Sequence, residues 1–190
     1  MDLFISDTHF GHENAVRFDP RPFRDAEEMF SVMKMRWNEK VRDDDDVWIL
    51  GDVSLDKSHD AGYYISQLKG RKHLIYGNHD RAIIRSPKIQ SMFEECCHLR
   101  YLESEGRVLF LSHYPIADWY KSHHGSYHIY GHIHADRGEV FKFMSDGVRG
   151  EHAFNAGCMI NGYVPVTFDE LRANNLRFRQ NASDHNDQGE

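Results

Sequence analysis

No apolar stretch in this chain approaches the roughly 20 residues that a membrane helix needs, so no membrane partner is expected. Basic charge is also scarce: 23 Lys and Arg face 30 Asp and Glu, for a formal net charge of -7. Nonspecific binding to nucleic acid depends on many Lys and Arg contacts to phosphates, so the balance argues against an extended nucleic-acid track. It does not argue against a phosphate substrate, because bound dications would invert the local potential. Only three cysteines occur, Cys96 and Cys97 being adjacent, and none has the paired spacing of a structural zinc site. Reduced, mostly buried thiols are expected. The start, Met1-Asp2-Leu3-Phe4-Ile5, has no basic region or cleavable signal, which gives a cytoplasmic expectation. Internal repeats and an interdomain linker are also lacking.

At 190 residues, with 40% hydrophobic and 28% charged residues, the chain matches one soluble globular domain with a substantial core. That domain is expected over 1–178, followed at 179–190 by a polar tail with too few apolar residues to order it. Met29, Val32, Met33, Trp37 and Val41 recur at three- and four-residue steps, which predicts one buried helix face between Asp25 and Val41. A second helix is expected from Asp60 to Leu68, stopped by Gly70. The stretch from Asp80 to Glu95 reads as helical but interrupted at Ser86-Pro87, because a residue before proline leaves the helical region. Strands are expected near Leu99–Leu102 and Arg107–Leu111 with a turn at Glu105-Gly106, and again at Val140–Phe143, Ala153–Asn155 and Val164–Phe168. Asp169-Glu170-Leu171 begins a short last helix. The run Asp43-Asp44-Asp45-Asp46 lacks the alternating ligands and central glycine of a calcium loop and reads as a solvated turn.

Five short apolar runs each end in residues able to ligate a metal. Leu3-Phe4-Ile5 leads to Asp7 and His9, Val47-Trp48-Ile49-Leu50 to Asp52, and His73-Leu74-Ile75-Tyr76 to Asn78 and His79. Val108-Leu109-Phe110-Leu111 leads to His113, and Tyr127-His128-Ile129-Tyr130 to His132 and His134. Such runs read as buried strands, and open α/β sheets place their chemistry at the carboxyl ends of strands. Asp7 and His9 are two apart, as are His132 and His134, so an extended chain would put each pair on one face. Glycines at 51, 77 and 131 would let the backbone turn just before the ligand. Imidazoles and carboxylates without thiolates suit Mn, Fe and Zn. Taken singly, Asp7 reads as a turn residue and His113 as a satisfied core histidine; the joint pattern points to one metal-binding site.

The motifs Asp7-Thr8-His9, Gly51-Asp52, Gly77-Asn78-His79-Asp80, Ser112-His113 and Gly131-His132-Ile133-His134 resemble, in order, those of the calcineurin-like metallophosphoesterases. The first, running on to Asn14, is similar to that of small stand-alone bacterial and phage members. The resemblance implies an α/β fold, an α-β-β-α sandwich of two mixed sheets flanked by helices, with a dimetal site at the carboxyl ends of strands. It implies one metal held by Asp7, His9, Asp52 and His134 and a second by Asp52, Asn78, His113 and His132, so that Asp52 bridges and also serves catalysis. The implied cofactors are two divalent transition metals, manganese foremost, with iron, zinc or nickel as alternatives. The implied reaction is phosphoester hydrolysis by a hydroxide shared between the metals, with His79 free to donate a proton to the leaving oxygen.

A phosphodiester is favoured over a monoester, since little capping structure leaves an open site. A phosphatase, a nuclease acting on short ends and a noncatalytic scaffold are the alternatives. The expected partner is a phosphoester small molecule or a short nucleic-acid end. His12, Asn14, Arg17 and Arg21 follow the first motif and are candidates to line the substrate pocket with Asn78 and His79, an Arg gripping phosphate oxygens. Asp80 suits helix capping better than orienting His79. Many relatives carry an acidic residue soon after the late Asn-Val-Gly element, whereas Asn155-Ala156-Gly157 is followed by Cys158 here; this touches no metal ligand, and a changed hydrogen bond at the edge of the site is expected.

Overall fold

A computed structural model describes residues 1–19 and 21–186. Strands β1 (Asp2–Ile5), β2 (Asp46–Ile49), β3 (Arg71–Ile75) and β4 (Glu95–Cys97) form one sheet in that order, parallel throughout. Strands β5 (Leu99–Ser104), β6 (Arg107–Ser112), β7 (Tyr127–Tyr130) and β8 (Ala153–Asn155) form the other, antiparallel only between β5 and β6. The expected two-sheet sandwich is present, and its second sheet is the mixed one. The helices are α1 (Glu13–Phe18), α2 (Ala26–Lys40), α3 (Ala61–Ile65), α4 (Arg81–Ile84), α5 (Pro87–Gln90), α6 (Glu139–Ser145), α7 (Gly147–His152) and α8 (Phe168–Asn186).

The two-residue period of the strands builds the layers. Leu3, Ile5, Val47, Ile49 and Leu74 pack against Met29, Met33 and Trp37 of α2. The alternate residues Phe4, Trp48 and Ile75 face Leu109, Leu111, Ile129 and Phe154 across the gap between the sheets. Phe110, Tyr130 and Ala153, on the far face of the second sheet, pack with Trp119 and Met144 of α6. The helix α2 forms where its apolar period predicts it. Asp25 caps it by accepting from the Glu28 N–H at 2.8 Å, and the Trp37 indole donates to the Lys69 carbonyl.

Several expectations need correction. Val140–Phe143 is helical, within α6: Met144 is buried and the Phe141 ring meets Phe178 at 5.4 Å, contacts three residues apart that suit a helix. Val164–Phe168 is no strand, because Pro165 has no N–H to extend a ladder. Only Val166 pairs, with Phe4, and Phe168 already opens α8. The last helix is long, reaching Asn186, and residues 187–190 of the expected tail lie outside the described residues. The helix expected over Asp60–Leu68 is confined to α3, capped by Asp60. Strand β4 begins at Glu95, where the helical reading of Asp80–Glu95 ends, and the break expected at Pro87 is present between α4 and α5. Within the four-carboxylate run, Asp43 and Asp44 are exposed, but Asp45 is buried and accepts from the Arg42 N–H, while Asp46 opens β2 and pairs with Arg71 and His73. Cys158 is buried, and Cys96 and Cys97 are partly so; none is bridged.

Candidate metal centre

Where β1 and β2 end, their following loops continue side by side. Asp7 N–H donates to the Gly51 carbonyl at 3.1 Å, His9 N–H to that of Asp52 at 3.0 Å, and Phe10 N–H to that of Val53 at 2.9 Å. The hydroxyls of Ser6 and Thr8 donate across the same seam to Leu50 and Val53. Between these bonds the backbone is left-handed at Asp7 (φ 57°), His9 (φ 48°) and Asp52 (φ 56°), and again at His132 (φ 70°) and His134 (φ 52°). The Asp7–His9 spacing does bring both side chains into one group, by these bends and not by extension. Such conformations cost of order 1 kcal/mol or more each for residues with a Cβ, persist only where the surroundings enforce them, and cluster at functional sites. Of the three glycines, only Gly51 has a positive φ (+84°). Gly77 and Gly131 are required for space, since a Cβ would fall on the Asp52 carboxylate and on the Ser6 hydroxyl.

The hydrogen bonds on the outer sides of the imidazoles decide what points inward. His113 Nδ1 lies 2.7 Å from the Leu50 carbonyl, which only accepts, so Nδ1 carries the proton. In the neutral ring Nε2 is then a lone pair, 3.1 Å from Asn78 Oδ1 and 3.7 Å from Asp52 Oδ2. His134 donates from Nδ1 to Asp19 Oδ2 at 2.8 Å, which turns its Nε2 toward His9 Nε2 at 3.1 Å and Asp7 Oδ1 at 3.7 Å. His9 Nε2 is also 3.6 Å from Asp52 Oδ2. The lone pair of His113 Nε2 therefore faces the acceptor oxygens of Asn78 and Asp52 in a nearly dry interior, where Asp7 and His113 are 0% exposed, Asp52 2% and His9 3%, and the buried His9 Nδ1 has no hydrogen-bond partner. Such an arrangement is costly without a cation among the lone pairs. Asp7, His9 and His134 form one group with ligand atoms within 4.8 Å of one another, and Asp7, Asp52 and His113 form another. The donor set, imidazole and carboxylate without thiolate, fits a divalent transition metal.

Burial pushes the His9 pKa down to about 2, helped by the neighbouring His134, Arg21, His79 and His12, so this ring stays neutral. Burial likewise lowers that of His132 and raises that of Asp7. Burial would lower His134 too, but its hydrogen bond to Asp19 and the Asp7 and Asp19 charges raise it.

Asp7 belongs to both groups, and Asp52 reaches a histidine of each through Oδ2. His132 lies outside both; its ring is 5.1 Å from that of His113 and its N–H donates to the Asp7 carboxylate. His79 is exposed, with its N–H donating to Asp52 Oδ1 at 2.9 Å and its ring 5.5 Å from His9. It lines a cavity of about 230 Å3 with His9, His12, Asn14 and His134. Arg17 is exposed and does not line that cavity. Arg21 is no phosphate grip either: it is buried, donating to the Asp7 and Thr8 carbonyls and paired with Asp19.

Four residues around the centre have roles that their local sequence does not show. Asp19, absent from the predicted set, receives the His134 imidazole and the Arg21 guanidinium on one oxygen. The Asp19-Pro20-Arg21 segment offers a charged pair around a proline, but nothing local shows that it meets His134. Asp80 makes no side-chain cap on α4; its carboxylate accepts from the N–H groups of Asp52, Val53 and Gly77. Asn155 donates to the His134 carbonyl and is itself held by Asn161 and Asn175. Cys158 Sγ lies 3.3 Å from the Asp7 carbonyl, and burial pushes its pKa up to about 12, which makes it a donor and not a nucleophile.

No family model matches the chain. An uncharacterized protein of Methanocaldococcus jannaschii, MJ1445, is 32% identical over 167 residues, covering 87% of this chain and 85% of that protein. The gene 66 protein of Mycobacterium phage L5 is 41% identical over 81 residues, covering 40% of this chain and 38% of that one. Among solved structures, the protein of unknown function AQ665 from Aquifex aeolicus superposes with a TM-score of 0.68 at 25% identity, covering 91% of this chain and 98% of that one.

Proposed function

We propose that this chain, which belongs to one family with the uncharacterized Methanocaldococcus jannaschii protein MJ1445, is a metal-dependent phosphoesterase with a two-metal centre, acting on a phosphodiester in preference to a monoester. The observation that carries the reading is the convergence of the His9, His113 and His134 imidazole nitrogens with the carboxylates of Asp7 and Asp52. The resemblance of these same residues to the calcineurin-like motifs supports phosphoester chemistry, and manganese is the metal we assign first. When bound, the metals supply Lewis-acid polarisation of the phosphoryl group and an activated water.

The chain's own residues divide the remaining work. Asp7, His9, Asp52 and His134 would hold one metal; Asp52, Asn78, His113 and His132 would hold the other. The Leu50 carbonyl and the Asp19 carboxylate fix the tautomers of His113 and His134, so both rings present Nε2. His79 sits on a backbone pinned to Asp52 but carries an exposed ring, the position from which a protonated imidazole donates to a leaving oxygen. His12 and Asn14 complete the wall of that cavity and orient the ester oxygens.

Turnover of bis(p-nitrophenyl) phosphate and p-nitrophenyl phosphate by the manganese-loaded protein tests this directly. The diester is expected to turn over faster. His79→Ala should lower kcat by roughly 10²–10⁴-fold, the usual contribution of a positioned acid, with manganese still bound. Asp52→Asn should lose both metal and activity, and unchanged turnover in the two variants would sink the reading.

A further inference from the structure

A larger cavity, of about 650 Å3, adjoins the candidate centre, and His132 and His134 form part of its wall. Beyond those imidazoles the wall turns apolar, with Pro115, Ile133, Ala135 and Val140. Ile133 packs on the core cluster that includes Phe110, Trp119 and Tyr130, which backs the shelf with rigid structure. Val140, on α6, is 46% exposed. Among the described residues two carboxylates line this cavity and no Lys or Arg does. Asp19 is engaged by Arg21 and His134, and Asp136 accepts from the Gly138 N–H.

An anionic group continuing from the ester into this cavity would meet the Asp136 carboxylate and find no cationic side chain on the lining to receive it. An uncharged apolar group would meet surface that gains by losing its water. The smaller cavity with His12, Asn14 and His79 shares His134 and Asp19 with it but is lined mainly by polar side chains. The centre thus opens onto two arms of different chemistry.

We propose that the substrate is a phosphoester with one uncharged apolar arm, aryl or alkyl, seated on Pro115, Ile133, Ala135 and Val140. This rests on the phosphoesterase reading and specifies one arm of its substrate; a continued phosphate backbone does not run in this direction.

Calorimetric titration of the manganese-loaded full chain with phenylphosphonate and with methylphosphonate separates the two ideas. Phenylphosphonate should bind at least roughly tenfold more tightly, the gain from burying most of a phenyl ring. Val140→Asp, on an exposed helix position, should bring that preference to within about twofold, as expected when a charge borders the apolar site, and leave methylphosphonate binding unchanged. Equal affinities in the wild type, or an undiminished preference in the variant, would overturn the apolar arm alone. Failure of both phosphonates to bind would overturn the phosphoesterase reading and the arm together.

Discussion

Asp19 contributes to the centre through a single oxygen, which holds the His134 ring and neutralises the buried Arg21. Asp19→Asn keeps the size of the side chain and removes the charge. Manganese affinity should fall by roughly 10–100-fold, the usual effect of losing a carboxylate behind a ligating histidine, as measured by competition with a chelating dye. A second residue sets a pH limit on stability. His128 is fully buried, accepting from the Ile116 N–H and donating to the Phe110 carbonyl, a pairing only the neutral ring can make. Burial pushes its pKa down to about 4. The unfolded chain therefore takes up this proton first as pH falls from about 6.5, and stability drains away until the folded form also protonates near 4. The loss across that window is about 3 kcal/mol from this group. Urea unfolding at successive pH values should show it, and His128→Gln should flatten the slope; an equal slope in the variant would exonerate His128.

The Asp80 carboxylate clamps the loops after β2 and β3 together. Asp80 accepts three N–H groups, from Asp52, Val53 and Gly77, and is 1% exposed. Asp80→Ala leaves those donors buried and unpaired, which should lower the unfolding free energy by about 3 kcal/mol or more. Chemical denaturation checks the figure, and a loss below about 1 kcal/mol would mean that water replaces the carboxylate. The same scale shows what local pattern reveals. The helix over Ala26–Lys40 follows from a three- and four-residue period, and the strands leading to Asp7, Asp52 and His113 follow from short apolar runs. Val140–Phe143 does not, because four residues rich in aromatic and branched side chains satisfy a strand as well as a helix; the contact of Phe141 with Phe178 selects the helix.

At the scale of the whole molecule, the proposed ligands come from the ends of strands in two different sheets, with Asp7, His9, Asp52 and Asn78 following the first and His113, His132 and His134 the second. A metal bound among them ties the sheets together, and the unfolded chain has no such site. Manganese at a hundredfold its dissociation constant should add about 2.7 kcal/mol of stability, seen as a raised Tm that a chelator reverses. Asp52→Asn should abolish the rise; an undiminished rise in the variant would place the stabilising metal elsewhere.

By itself the sequence determined where five of the strands run and that each of these leads to metal-binding residue types, because both are short-range properties of apolar runs and spacing. Only the tertiary structure decided that Arg21 is buried beneath the centre and not at its mouth, that Asp19 orients His134, that Asp80 clamps two loops, and that an apolar shelf borders His132. Each of those roles depends on which distant segments are pressed together. That choice is made by burying the two faces of each sheet at once, a condition no local window of residues contains.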